Sequence, residues 1–346
     1  MKAAVLEDNE KLCYRDIETP QVTAGTVQIK VAACGICGSD VPRVFDHAAH
    51  NYPLILGHEF AGTVSAVGEG VTHVKVGDHV TAAPLVPCMD CPDCAAGNYS
   101  LCKHYSFIGS RQNGAMADYI VVPAANVLPI PEELPFRQAA TIEPSTVALH
   151  ALRVCHYTAG KRVAVLGCGI IGLYTVQWAK LLGASQITAI SRGKRGLEAA
   201  MKLGADSAIT TDGTMEDELN AAIKAGFDYV LECSGSETTM KLSLQLVANK
   251  GTVCFIGTPK KPLSFTVPQF EQINRKECVV TGSWMSYSAP FPGSEWTDTI
   301  DYMSSGKLQF IPELVDSTYP MSQAMTAFEE IHAGHTKGRV LLVNED

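Results

Sequence analysis

The chain has 346 residues, 46% hydrophobic and 18% charged, with a net charge of −9. That length allows about two domains of ~150 residues, and the composition is globular rather than disordered. The negative charge argues against nucleic acid or an anionic membrane as a partner. No apolar run approaches the ~18 residues of a membrane span, and the first residues lack the apolar core of a signal peptide. The twelve cysteines then suggest metal binding in a reducing cytosol rather than a disulfide framework.

Residues 1–34 read as short strands: Ala3–Leu6 is apolar and Thr26–Val31 alternates polar with apolar. Cys34–Pro53, rich in Gly, His and Asp, suits a loop with a short helix. In it Cys37 is followed by Gly38, Ser39 and Asp40, and the triplet Gly57-His58-Glu59 places His58 21 residues beyond the cysteine. Thiolate, imidazole and carboxylate are the side chains zinc accepts, and a catalytic zinc keeps one position open. Taken alone, the same stretch describes a buried free cysteine and a surface His-Glu pair equally well.

Phe60–Gly68 and Val76–Val80 are β segments broken by glycines, typical of an irregular β-rich domain. Cys88, Cys91 and Cys94 follow at a spacing of three, and Cys102 completes four cysteines within fifteen residues. Four thiolates can enclose a tetrahedral zinc with no open position, which makes such a site structural. Gly109–Gly114 reads as a turn and Met116–Val122 as a strand. Glu143 and Pro144 precede the apolar stretch Val147–Val154, and proline suits a first helical turn. Glu143 is then either an N-terminal helix carboxylate or a side chain directed into a cleft.

From residue 161 the character changes. Arg162–Leu166 is an apolar run of the kind found in buried parallel strands. It enters Gly167-Cys168-Gly169-Ile170-Ile171-Gly172, then a helical stretch Leu173–Leu182 and a second strand, Ile187–Ile190. Glycines between strand and helix let the backbone approach a dinucleotide pyrophosphate, which rests on the helix N-terminus. About 20 residues on, where NAD-specific chains carry an acid, the sequence reads Ile190-Ser191-Arg192-Gly193-Lys194-Arg195. Ser191, Arg192 and Arg195 suit the 2′-phosphate of NADP, so NADP is expected over NAD. Phe227–Cys233, Thr252–Gly257 and Cys278–Gly282 read as strands, Glu237–Ala248 as a helix and Pro259–Pro268 as a connection. The tail, from about Trp296, carries a helix near Ser322–His332 and an apolar strand, Arg339–Val343, expected to return to the first domain.

These parts, in this order and over essentially the full length, resemble the zinc-dependent medium-chain dehydrogenases. The resemblance implies an α/β chain: an irregular β-rich, GroES-like catalytic domain over 1–150 and 296–346, and a doubly wound Rossmann domain over 151–295. It implies that Cys37, His58 and Glu143 hold a catalytic zinc, with Glu59 a neighbouring acid able to enter the metal shell. It further implies that Cys88, Cys91, Cys94 and Cys102 hold a structural zinc. Glu143 matches the polyol branch, where ethanol-type members usually carry cysteine; many sorbitol dehydrogenases lack the four-cysteine lobe. Gly167, Gly169, Ile170, Ile171 and Gly172 fall on the coenzyme fingerprint, although the relatives the chain resembles use NAD. Ser39 matches the hydroxyl that first accepts the substrate's proton, a turn-capping serine being the alternative.

The run Gly282–Trp296, together with Phe107–Arg111 and Asp40–Arg43, looks like the branch that oxidises hexitol phosphates. A phosphate ester needs a bidentate cation, which makes Arg43 and Arg111 substrate candidates, each equally suited to a salt bridge. Alternative substrates are a free polyol, a pentitol phosphate or an amino alcohol, and a non-catalytic zinc- and NADP-binding protein is the remote alternative. A cytoplasmic homodimer or homotetramer, joined near Cys278–Met285, is also implied.

Overall fold

Alternation of apolar and polar residues makes Thr26–Ile36 a half-buried strand, with Val27, Ile29 and Val31 in the core and Lys30 in solvent. In the computed structural model, which describes residues 1–344, this strand continues past Val31 to Ile36. Part of the expected loop is therefore strand, because Ala33, Cys34 and Ile36 are as buried as the residues before them. It pairs antiparallel with Glu59–Val67, with Tyr119–Pro123 and with Arg339–Val343, so the last strand does return to the first part of the chain. The strand expected from Met116 starts only at Tyr119, while Ala117 makes an isolated bridge to Ala3. Leu6, Ile29, Leu54, Phe60 and Phe328 belong to the core of this unit.

Two units are present. The first comprises Met1–Glu143, Tyr287–Gly306 and the chain from Val315; the second comprises Pro144–Ser286 and Lys307–Leu314. The divisions thus fall at 143/144, 286/287, 306/307 and 314/315. Hydrogen bonds give the reason. In the helix Ile142–Val154, Ser145 Oγ accepts the Trp178 indole N–H at 3.0 Å and Thr146 Oγ1 donates to Ser286 Oγ at 2.7 Å. Gln177 side-chain bonds to both the N–H and the carbonyl of Gln309 draw Lys307–Leu314 into the second unit.

The second unit carries six parallel strands in the spatial order Ser207–Thr210, Gln186–Ser191, Arg162–Leu166, Phe227–Glu232, Val247–Phe255 and Val279–Gly282. Val163–Leu166 is fully buried, as a strand covered on both faces must be. The order reverses between Arg162–Leu166 and Phe227–Glu232, the topological switch point of a doubly wound fold. The helix Ile170–Leu181 starts within the glycine fingerprint, earlier than its apolar run suggested. Val267–Lys276, at the end of the expected connection, is helical: Thr266 and Gln269 form a capping box and Pro268 sits in the first turn. Among the described residues no helix is long and apolar enough to cross a membrane.

Candidate metal centres and coenzyme turn

Cys37 follows directly on the strand Thr26–Ile36, and His58 and Glu59 lie at the start of Glu59–Val67. Gly35 is paired with Glu59 in the sheet, which sets the two strand ends side by side. Donor atoms of Cys37, His58 and Glu59 consequently all lie within 4.8 Å of one another. Gly35 is needed there, since a Cβ would stand 2.6 Å from Glu59 Oε2. Asp40, wholly buried, fixes the turn: Oδ2 accepts the Cys37 N–H at 3.2 Å, and Oδ1 lies 2.7 Å from Arg43 Nη1 and 3.7 Å from His58 Nδ1.

Arg339 opens the last strand and is buried; it donates to the Ile36 carbonyl at 2.5 Å and places Nη2 3.1 Å from Glu59 Oε1. Burial pushes the Glu59 carboxyl up to about 8, against the pull of Arg339. Burial, then the charge of Glu59, pushes Glu143 up to about 7. Burial also works against the Arg339 charge, yet Glu59, Cys37 and Glu143 hold its pKa above the ordinary value. One guanidinium therefore serves two carboxyls and a thiol. Beyond the Arg339 contact at Oε1, neither Glu59 oxygen has a hydrogen-bond partner among the described residues, and neither does His58 Nδ1. Buried acceptors in excess of nearby positive charge fit a divalent cation, and this donor set fits zinc.

Glu143, half-buried at the second position of its helix, is not part of the set within 4.8 Å, although its carboxyl feels Glu59, His58 and Arg339. Glu59, expected from sequence as a neighbouring acid able to enter the metal shell, is the carboxylate that completes the close set. Asp40 and Arg339 received no role from sequence. Their signals were an acid three residues after the ligand cysteine and an arginine heading an apolar strand.

Ser39 is exposed in the turn, its Oγ and carbonyl accepting from Arg43 Nη1 at 3.1 and 2.9 Å. Arg43 Nη2 donates to Ser110 Oγ at 3.2 Å, so this guanidinium is engaged on both sides. Arg111, next to Ser110, is exposed, with its guanidinium 4.5 Å from the centroid of the Tyr105 ring. Burial, then the charges of Arg111 and Arg43, lower the pKa of His50, a residue that sequence reasoning passed over.

Sulfurs of Cys88, Cys91, Cys94 and Cys102 all lie within 4.8 Å of one another, and Cys88 Sγ and Cys102 Sγ are 3.5 Å apart. A disulfide would need about 2.05 Å, whereas four thiolates about 2.3 Å from a tetrahedral zinc stand roughly 3.8 Å apart. The four fit a closed zinc site. The lobe is tied to the expected signature run: Tyr287 Oη accepts the Leu85 N–H at 3.0 Å, and the Tyr99 and Phe291 rings meet edge to face at 5.3 Å.

In the second unit Gly167 has φ +91°, and a Cβ there would stand 2.7 Å from Ser234 Cβ. Gly169 caps the helix Ile170–Leu181, and a Cβ built on it meets no atom within 4 Å. That open space over a helix N-terminus fits a dinucleotide pyrophosphate. Gly172 allows close packing, since a Cβ would stand 1.8 Å from the Gly167 carbonyl oxygen. Ile170 is buried and Ile171 half-buried in the first turn. Ser191 Oγ accepts the Cys168 N–H at 3.4 Å at the end of its strand; Arg192 beyond it is exposed and Arg195 half-buried on the next helix.

Residues 23–132 match the alcohol dehydrogenase GroES-like domain and residues 171–305 the zinc-binding dehydrogenase domain. The chain is 38% identical over 319 residues to galactitol 1-phosphate 5-dehydrogenase of Escherichia coli K12, covering 92% of each. It is 33% identical to L-threonine 3-dehydrogenase of Bacillus licheniformis, covering 99% of each, and 33% identical to sorbitol dehydrogenase of Halalkalibacterium halodurans, covering 96% and 97%. The crystal structure of galactitol-1-phosphate dehydrogenase from Escherichia coli superposes with a TM-score of 0.94 at 35% identity, covering 99% of this chain and 100% of that one. A zinc-binding dehydrogenase of Sinorhizobium meliloti bound to NADP (29%, TM-score 0.88, covering 99% and 98%) and an alcohol dehydrogenase of Escherichia coli CFT073 with NADH (29%, 0.89, 99% of each) are also similar.

Proposed function

The chain belongs to the zinc-binding dehydrogenase family, and on that premise we propose that it oxidises a secondary hydroxyl of a sugar-alcohol phosphate, galactitol 1-phosphate to tagatose 6-phosphate. The observation that carries the phosphate is the exposed Arg111, next to Ser110, which Arg43 bonds beside the turn that presents Cys37. Arg111, exposed and held over Tyr105, offers its fork to the ester, while Arg43 lends its field from within the frame.

Cys37, His58 and Glu59, with Glu143, would hold the catalytic zinc, which when bound polarises the substrate hydroxyl and lowers its pKa. Asp40 holds the Cys37 backbone and faces His58, and Arg339 keeps Glu59 in place. Ser39 Oγ accepts from Arg43 and keeps its own proton free to move, so it can pass the substrate's proton to solvent. Cys88, Cys91, Cys94 and Cys102 would hold a second, structural zinc. The coenzyme supplies the hydride acceptor. Gly167, Gly169, Ile170, Ile171 and Gly172 form its pyrophosphate turn, and Ser191, Arg192 and Arg195, with no acid among them, favour NADP over NAD.

The enzyme works in the cytoplasm as a homo-oligomer, a dimer or tetramer. The edge strand Val279–Gly282 supports a seam between copies, with Val279, Val280 and Trp284 exposed, as are Val267 and Phe270 of a nearby helix. Initial rates with galactitol 1-phosphate and galactitol, each with NADP and NAD, test the reading. Turnover of the ester alone supports it. Equal turnover, or turnover of galactitol alone, makes the enzyme a free-polyol dehydrogenase, and a clear NAD preference removes the coenzyme assignment.

A further inference from the structure

Glu232 ends the strand Phe227–Glu232, follows the fully buried Val230 and Leu231, and is itself 0% exposed. A carboxylate in such a place is costly unless every lone pair is met. Here backbone N–H groups and a hydroxyl meet it: Oε1 accepts from Ser234 N at 3.0 Å, Gly235 N at 3.1 Å and Thr239 Oγ1 at 2.8 Å, and Oε2 accepts from Gly235 N at 3.1 Å. Thr239 carries the network on to the hydroxyls of Ser234 and Ser236 at 2.7 and 2.6 Å. Ser236 in turn caps the helix Glu237–Leu246. The carboxylate is thus a template for the turn Cys233–Ser236, with Gly235 in the left-handed region at φ +68°.

The turn has little room. A Cβ on Gly167 would stand 2.7 Å from Ser234 Cβ, and a Cβ on Gly257 would stand 2.1 Å from Gly235 N. Cys233 N–H is bonded to the Leu166 carbonyl at 2.8 Å, and Gly257 N–H to the Glu232 carbonyl at 2.9 Å. The turn is therefore wedged between the glycine fingerprint and the end of the next strand. It stands at the carboxyl ends of the two strands that flank the switch point, where doubly wound sheets receive their ligand.

The geometry points to Glu232 as a positioning residue for the coenzyme: its buried carboxylate shapes the turn that walls the dinucleotide crevice opposite Gly167. The inference rests on the dinucleotide reading above. A glutamine can keep the bonds at one oxygen but presents an amide N–H to the Gly235 N–H in place of Oε2, which turns an attraction into a donor–donor clash.

The test is direct binding of NADPH and NADH to the purified full chain, followed by coenzyme fluorescence, for the parent protein, Glu232→Gln and Ser243→Ala. Ser243 is a buried serine bonded to the Met240 carbonyl in the same unit, away from the turn, and controls for general loss of stability. Glu232→Gln is expected to raise the coenzyme Kd about tenfold, the loss of roughly one charge-assisted bond, with bound zinc unchanged. Ser243→Ala should lower Tm and leave Kd alone. Should Glu232→Gln fail to fold, Thr239→Val removes the hydroxyl donor and is expected to raise Kd about threefold. Unchanged Kd in the folded variant, or an equal rise in Ser243→Ala, overturns the inference. Binding of neither coenzyme by the parent chain overturns the dinucleotide reading as well.

Discussion

Arg339 Nη2 lies 3.1 Å from Glu59 Oε1, a buried ion pair that joins the last strand of the chain to the residue beside His58. Removing one member of such a pair leaves an uncompensated buried charge and costs about 3–5 kcal/mol, whereas removing both costs less. In metal-free protein above about pH 8, where the Glu59 carboxyl is ionised, Arg339→Met should therefore lower stability more than Arg339→Met combined with Glu59→Gln. Denaturant unfolding of the two single variants and the double variant gives the coupling. Additive losses would show that the pair contributes nothing.

The carboxyls at Glu59 and Glu143, pushed up to about 8 and about 7, set a pH dependence. Both stand above the unfolded carboxyl value of about 4.3, so between these values the folded metal-free protein binds more protons than the unfolded chain. Its stability should fall as pH rises from about 5 to 8, and part of that slope should vanish in Glu59→Gln. Zinc binding should release protons over the same range and tighten as pH rises. Thermal unfolding across pH, with zinc calorimetry in two buffers, checks both. A metal-free Tm that climbs through this window contradicts the assignment.

Much of this was legible in the sequence, for identifiable reasons. The Cys88–Cys102 cluster and the Gly167–Gly172 turn are local, so their spacing alone carries the geometry. Arg339 and Asp40 were not legible as parts of one site, since Arg339 reaches Glu59 only after the last strand pairs with Thr26–Ile36. Glu59 was legible beside His58 as an acid able to enter the metal shell, but its nearness to Cys37 depends on the sheet register that pairs it with Gly35. The helix Val267–Lys276 was hidden by its prolines, which here occupy the connection and the first helical turn.

Cys94 is buried among the other three thiols, so Cys94→Ser should remove one metal without touching the other site. Bound zinc is expected to fall from about two to about one per chain, with coenzyme affinity unchanged. Elemental analysis of the gel-filtered variant reads this directly. Retention of both metals would argue against a zinc in the four-cysteine lobe.

Arg111 is exposed beside the engaged Arg43, so its removal should act on substrate rather than on folding. Arg111→Ala is expected to raise KM for galactitol 1-phosphate about 10- to 100-fold, the value of a charge-assisted phosphate contact. Its Tm and any residual rate with galactitol should stay unchanged. Equal effects on ester and free polyol would move Arg111 out of the phosphate contact.

The most direct test of zinc-dependent oxidation is metal reconstitution. Protein stripped by a chelator and shown by circular dichroism to remain folded is titrated with zinc, while reduction of NADP or NAD by galactitol 1-phosphate is followed. Turnover should be absent in the stripped protein and return in step with zinc bound, and Cys37→Ser should not recover it. Full turnover without metal, or its recovery in Cys37→Ser at the parent rate, would contradict catalysis at this site.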